Sequence, residues 1–135
     1  MDAGFEIMKI SPFEDYRGQL KKIVQKSKLD NGTEIEEIYV LYSNKDTVRG
    51  NHYHKETIEY FTILSGEATM AFWDIEEEHL EVIPLKAADN ITIKVNPNTV
   101  HAFKNVSLEP LIVLAVSLKE YNPQDNDTYI YKLLD

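Results

Sequence analysis

Residues 49–66 read RGNHYHKETIEYFTILSG. His52 and His54 stand two apart, Glu59 follows after four intervening residues, and Gly66 closes an apolar run. On a strand, residues at i and i+2 leave the same face, so both imidazoles point one way and Tyr53 the other. The gap before Glu59 is long enough for a turn, after which the next strand can bring its carboxylate beside the pair. The run IEYFTILSG (58–66) is rich in β-branched and aromatic residues and stops at a glycine, which reads as a strand.

The same texture recurs outward in both directions. LKKIVQ (20–25), EIEEIYVLYS (34–43), EATMAFWD (67–74), HLEVIPLK (79–86), NITIKV (90–95) and PLIVLAVSL (110–118) read as strands of about six residues. KLDNGTE, YSNKDTVRG, KAADN and VNPNTVH between them are rich in Asn, Asp, Gly or Pro, the residues of turns. DIEEEHLE reads as a solvated hairpin tip, and NDTYIYKLLD (126–135) as a last strand. No stretch holds a 3.6-residue apolar period over the length of a stable helix. Strands at this spacing with no helical crossovers predict an all-β fold with few or no helices, its antiparallel sheets folded into a sandwich or barrel.

The chain has 135 residues, the size of one domain, and is read as a single unit over 1–135. At that length roughly two-thirds of the unfolded surface can be buried. Cysteine is absent, which removes disulfides and thiolate chemistry and agrees with a cytoplasmic location. The N-terminus MDAGFEIMKI has no long apolar core, so neither a secretory signal nor a spanning helix is expected there. A formal net charge of −9 argues against nucleic acid and anionic membranes as partners, because both reward positive faces. A small anionic ligand is still possible where cations gather. The two arginines, Arg17 and Arg49, are each followed by glycine.

Downstream, VNPNTVHAFKN (95–105) offers His101 after an Asn/Pro turn and Asn105 four residues later. Three imidazoles and one carboxylate suit zinc, iron, manganese or nickel, with positions left for water or substrate. His79 sits in the acidic tip and reads as a surface residue. Tyr53, Phe61, Phe72 and Trp73 are aromatic candidates for flanking a ligand, with core packing as their default role.

The spacing H-x-H-x4-E-x6-G, filled by His52, His54, Glu59 and Gly66, resembles the first signature of the cupin superfamily. NPNTVHAFKN is similar to the second, with His101 and Asn105 matching. Asp46 and Asn98 stand where the two signatures have glycine, and Asn96 where the second has proline. The resemblance covers roughly residues 35–120. It implies a double-stranded β-helix, the cupin jelly-roll, with the site in its interior.

FEDYRGQLKKI followed by VRGNHYHK resembles the sugar-nucleotide branch of cupins. That branch comprises the dTDP-4-dehydrorhamnose 3,5-epimerases, the 3,4-ketoisomerases and the cupin domain of capsular polysaccharide epimerase/reductases, whose R-G-x-H-x-H strand with glutamate is most similar. The resemblance implies an isomerase in surface polysaccharide assembly, a nucleotide-linked 4-keto sugar as substrate, and a homodimer that exchanges N-terminal strands. A ketone at C4 acidifies the C3 and C5 protons, so a positioned base can remove one. His52 matches the epimerases' catalytic histidine, and His54 is its acid/base partner if no metal is present. If a divalent metal is bound, zinc ranking first, the set is His52, His54, Glu59 and His101, and the base is a bound hydroxide or an unligated residue such as Tyr60 or Tyr39. Arg17 and Arg49 are candidates for gripping a pyrophosphate, with Asp15 and Tyr39 beside them in the substrate-binding set. Alternatives are an iron dioxygenase using the same ligands and a cupin that holds a carbohydrate without turnover.

Overall fold

The computed structural model describes residues 4–135; the part of the N-terminal reading that falls on residues 1–3 lies outside them. In chain order the strands are β1 (Phe5–Lys9), β2 (Phe13–Asp15), β3 (Gly18–Leu20), β4 (Glu37–Ser43), β5 (Val48–Tyr53) and β6 (Glu59–Ser65). They continue as β7 (Glu67–Asp74), β8 (His79–Lys86), β9 (Ile91–Val95), β10 (Thr99–Asn105), β11 (Leu111–Ser117) and β12 (Tyr129–Ile130). Two short 3-10 turns, Lys26–Lys28 and Ala87–Asp89, are the helical elements among the described residues. The all-β expectation holds.

One sheet has the order β1-β9-β6-β11-β4 and the other β12-β5-β10-β7-β8, with β2-β3 a separate hairpin. Every pairing is antiparallel. The two five-stranded sheets close over one core in the jelly-roll arrangement. Alternation along each strand decides what enters it: Phe61 and Ile63 from β6, Met70 and Phe72 from β7, Ile93 and Val95 from β9, Phe103 from β10, Val113 and Ala115 from β11. Phe72 is fully buried and stacks on Phe5 with centroids 4.0 Å apart, so its role is packing. One end of the barrel is filled by Phe61, Ile63, Ala68, Met70, Leu85, Phe103 and Val113, leaving no room for a water molecule. Access to the interior is therefore from the opposite end.

Three local outcomes differ from the sequence reading. LKKIVQ is not a strand beyond Leu20. Residues 21–25 instead lie against the first sheet, where the Ile23 carbonyl accepts from Thr92 Oγ1 and Lys21 Nζ donates to the Ala87 carbonyl. VNPNTVH is a turn only over residues 96–98: Val95 ends β9, and from Thr99 the chain is a fully paired strand. The last strand is short, with Tyr129 and Ile130 pairing opposite Tyr53 and His52.

The glycine substitutions in the two signatures keep the turns they replace. Asp46 and Asn98 have φ of 61° and 62°, the left-handed region that Asp and Asn tolerate best after glycine. Asn105, fully buried, donates through Nδ2 to the carbonyls of Ser43 and Glu109 and accepts the Ser107 amide. It ties the turn after β10 to β4.

Candidate active site and metal centre

A β-bulge sets the site's geometry. Along the β5–β10 pairing, His101 faces His52 but Ala102 faces Gly50, so Asn51 is an extra residue in β5. Gly50 and Asn51 both have positive φ, 90° and 55°, and together they make the kink a bulge requires. The inserted residue shifts the alternation, so Arg49 opposite Phe103 and His52 opposite His101 both belong to the inner face. His54 continues it. Glu59, at the start of β6, reaches the same space from the other sheet.

The candidate ligand atoms of His52, His54, Glu59 and His101 all lie within 4.8 Å of one another. His101 stands edge-on to His52 with ring centroids 4.7 Å apart. His101 is 1% exposed and Glu59 5%. One carboxylate oxygen of Glu59, Oε1, lies 2.7 Å from His54 Nε2 and 3.7 Å from His101 Nε2. The other, Oε2, accepts the Tyr39 hydroxyl at 2.7 Å.

The second nitrogen of two rings is already committed. His101 Nδ1 lies 3.1 Å from the Thr99 carbonyl, which can only accept, so Nδ1 carries the proton and Nε2 offers a lone pair. His54 Nδ1 donates in the same way to the Asp127 carbonyl. Burial, above all, pushes the His101 imidazole down to about 4, which keeps it neutral. Its Nε2 is buried without a hydrogen-bond partner and aims its lone pair at a carboxylate oxygen. Two lone-pair donors facing each other in a dry site are costly, and a cation between them removes the conflict. Histidines that donate one ring N–H to a carbonyl and present the other nitrogen inward have the orientation of metal ligands. The donor set therefore fits a divalent cation.

The remaining titrations agree. Burial would raise the Glu59 carboxyl, but His54, His101 and Tyr39 together hold it below the usual carboxylate value. Burial would lower His54, yet the hydrogen bond and charge of Glu59, with the Asp127 carbonyl, hold it above the usual imidazole value. Without a metal these two form an ion pair. His52 is lowered by burial and by His54, and its ring makes no hydrogen bond among the described residues. It is the free imidazole of the set.

A cavity of about 370 Å³ opens over these groups, lined in part by Tyr39, His52, His54, Thr57, Glu59 and Ser117. Its rim comes from the segment 119–128, including Lys119, Glu120, Asp125 and Asp127. A smaller cavity of about 110 Å³ shares Tyr39 and His52 and extends toward Arg49. The rim is acidic; the Arg49 end is not.

Several expected site residues need correction. Tyr60 alternates with Glu59 on β6 and so lies on the opposite face of the sheet, where it is 3% exposed and burial, with the charges of Lys94, Asp30 and Glu6, bears on its hydroxyl; it does not line the cavity. Tyr39 lines the cavity, but burial followed by the Glu59 charge pushes its hydroxyl far up, so it is a hydrogen-bond donor and not a base. Asp15 and Arg17 sit at the tip of the β2–β3 hairpin, bonded to each other at 2.6 Å with Arg17 70% exposed, and neither lines the cavity. Arg49 lines the smaller cavity, with Nε donating to Ser43 Oγ and Nη2 to the Tyr42 carbonyl. His79 is at the surface, 3.3 Å from Glu81.

Asp127 escaped the sequence reading. Its carboxylate accepts the backbone amides of Lys55, Glu56 and Thr57 and the Thr57 hydroxyl, at 2.8–3.0 Å. Burial would raise its carboxyl, but these donors hold it down. A polar residue some seventy positions away from its partners leaves no trace in spacing or periodicity.

A jelly-roll with three imidazoles and a carboxylate converging inside the barrel has the cupin fold. The family described as the polysaccharide biosynthesis C-terminal domain matches residues 13–129, and the chain belongs to it. No curated protein matches the chain. Among solved structures it resembles a 3,4-ketoisomerase from Helicobacter canadensis, with TM-score 0.80 and 23% identity over 95% of this chain and 91% of that one. It also resembles QdtA, a sugar 3,4-ketoisomerase from Thermoanaerobacterium thermosaccharolyticum in complex with TDP, with TM-score 0.79 and 18% identity over 96% and 89%. The rmlC epimerase of Mycobacterium tuberculosis gives TM-score 0.79 and 21% identity over 90% of this chain and 66% of that one. At these identities the shared property is the fold. No helix among the described residues is long and apolar enough to cross a membrane.

Proposed function

We propose that this protein is a sugar-nucleotide isomerase, an epimerase or 3,4-ketoisomerase that moves a proton at C3 of a nucleotide-linked 4-keto-6-deoxyhexose in surface polysaccharide assembly. The observation that carries this reading is the free, neutral His52 beside the Glu59-centred cluster at the open end of the barrel. His52 takes the C3 proton, and the electron pair moves toward the C4 ketone to leave an enediolate. Delivery of a proton to the opposite face of C3 by a donor on that side, with His52 keeping the one it took, gives the epimer. Delivery of the His52 proton to C4, with the O3 hydroxyl proton passing to O4, gives the 3-keto isomer.

A divalent metal, zinc before iron, manganese or nickel, would be held by His54, Glu59 and His101 with His52 able to complete the set, and would supply Lewis acidity toward a ketone. When no metal is bound, His54 keeps its 2.7 Å hydrogen bond to Glu59. Arg49 places the pyrophosphate at the end of the cavity away from the acidic rim, where a guanidinium can fork onto phosphate oxygens. The experiment is metal analysis of the purified protein followed by NMR in D2O with a panel of nucleotide-linked 4-keto sugars. Deuterium entering at C3, or at C4 of a 3-keto product, supports the reading. Oxygen consumption by an iron-loaded protein would replace it with a dioxygenase, and an inert panel with a carbohydrate-holding module.

The single domain over residues 1–135 is proposed to work in the cytoplasm as a homodimer, with neither nucleic acid nor membrane as a partner. Phe13 and Leu20 on the β2–β3 hairpin are more than half exposed, Tyr16 at its tip is 97% exposed, and Ile38, Val40 and Tyr42 of the edge strand β4 are exposed as well. Apolar groups of this kind beside an open sheet edge are a hazard unless another chain covers them. Light scattering is expected to give twice the chain mass, and the double variant Phe13→Ser with Ile38→Ser is expected to run as a monomer. A wild-type monomer at micromolar concentration would refute the dimer.

A further inference from the structure

Asp127 does two things with one residue. Its carboxylate gathers three successive backbone amides and the Thr57 hydroxyl, fixing the turn 55–57 between β5 and β6. Its own carbonyl accepts His54 Nδ1–H. The turn is what places His54 at the end of β5 relative to Glu59 at the start of β6, and the carbonyl sets the rotation of the His54 ring. The neighbouring contacts brace the same segment from outside: Tyr129 stacks on Tyr53 with centroids 5.3 Å apart, and Lys55 Nζ lies over the Tyr129 ring. Asn51, in the bulge, accepts the amides of Leu133 and Leu134 and donates to the Leu134 carbonyl. His52 and His54 face inward while Tyr53 between them and Asn51 before them are held by chain 127–134.

We infer that Asp127 is a positioning residue for proton transfer at this site: it locks the His54 ring so that Nε2 meets Glu59 while Nδ1–H stays bonded to the Asp127 carbonyl. The inference rests on the isomerase reading only for its effect on turnover. The geometric part stands on its own.

The test uses 15N-labelled protein, whose four histidines give a sparse ring N–H spectrum. A ring N–H in a hydrogen bond shielded from solvent exchanges slowly enough with water to be seen, in either charge state of the imidazole. In the wild type, His54 and His101 are both expected to show an Nδ1–H signal, bonded to the carbonyls of Asp127 and Thr99. Asp127→Asn keeps the size of the side chain but puts an amide NH2 where amide donors converge. The expected result is loss of the His54 signal with the His101 signal kept, which marks an intact barrel. The C3 exchange kcat is expected to fall by roughly 10- to 100-fold with KM unchanged. If Asp127→Asn does not fold, Thr57→Val, which removes one of the four bonds, carries the same test and should speed water exchange of the His54 proton. A His54 signal that persists unchanged in the folded variant, or is missing from the wild type, overturns the inference. A wild type that shows the signal but moves no deuterium at C3 leaves Asp127 standing as the brace of His54 and overturns the isomerase reading instead.

Discussion

Replacing His52 with alanine is expected to slow deuterium entry at C3 by roughly 100- to 10,000-fold, the range that a positioned general base contributes. Among the three clustered imidazoles it is the one with neither nitrogen engaged. His54 spends Nδ1 on a carbonyl and Nε2 on Glu59, while His101 spends Nδ1 on a carbonyl and keeps its Nε2 buried against Glu59 at 1% exposure, so neither presents a lone pair to substrate. Burial and the His54 charge lower His52, which keeps it unprotonated near neutral pH, the state a base needs. It is only half-buried and makes no hydrogen bond that the fold would miss, so the melting temperature should barely move. The measurement is NMR in D2O together with the zinc content of both proteins. Lost exchange with zinc retained identifies His52 as the base; joint loss of both identifies a ligand. Exchange within a few-fold of wild type would remove His52 from the chemistry.

Gly50→Ala is expected to destabilise the fold by roughly 3 kcal/mol, lowering the melting temperature by roughly 10 °C for a domain of this size, and to remove C3 exchange. Two penalties combine. With φ at 90° an L side chain is strained, and a Cβ would stand 2.5 Å from the His101 carbonyl oxygen and 3.0 Å from Ala102 Cα. Those are backbone atoms of the paired strand, so relief requires β5 and β10 to move apart. That movement carries His52 away from His101. Circular dichroism melts and the ring N–H spectrum report both effects, and a variant that melts like the wild type would show that the bulge is not as tight as described.

How much of this was legible beforehand follows from what spacing and alternation can encode. His52, His54, Glu59 and His101 were readable because ligand groups on strands repeat at fixed offsets, and those offsets survive folding directly. The place of Tyr60 on the face away from the site was equally readable, since it is adjacent to the inward Glu59 and strand parity puts it on the other side of the sheet. Arg17 had two readable partners, a phosphate and the nearby Asp15, and the hairpin pairs it with Asp15, which spacing alone could not decide. LKKIVQ has strand composition but no partner, and composition does not specify pairing. The bulge at Asn51 and the brace at Asp127 depend on backbone amides meeting across long stretches of chain, and amides are the same in every residue.

The strand order has a consequence for how the molecule comes to exist. Within the two five-stranded sheets, only β7 and β8 are neighbours both in space and along the chain; every other pairing joins segments separated by at least one intervening strand. A polypeptide with so few local pairings must close long loops before any of them is rewarded, so refolding from denaturant should take milliseconds to seconds. On the ribosome, β5 is made long before segment 127–134 emerges to brace it. The geometry around His54 therefore waits for a segment made some seventy residues later.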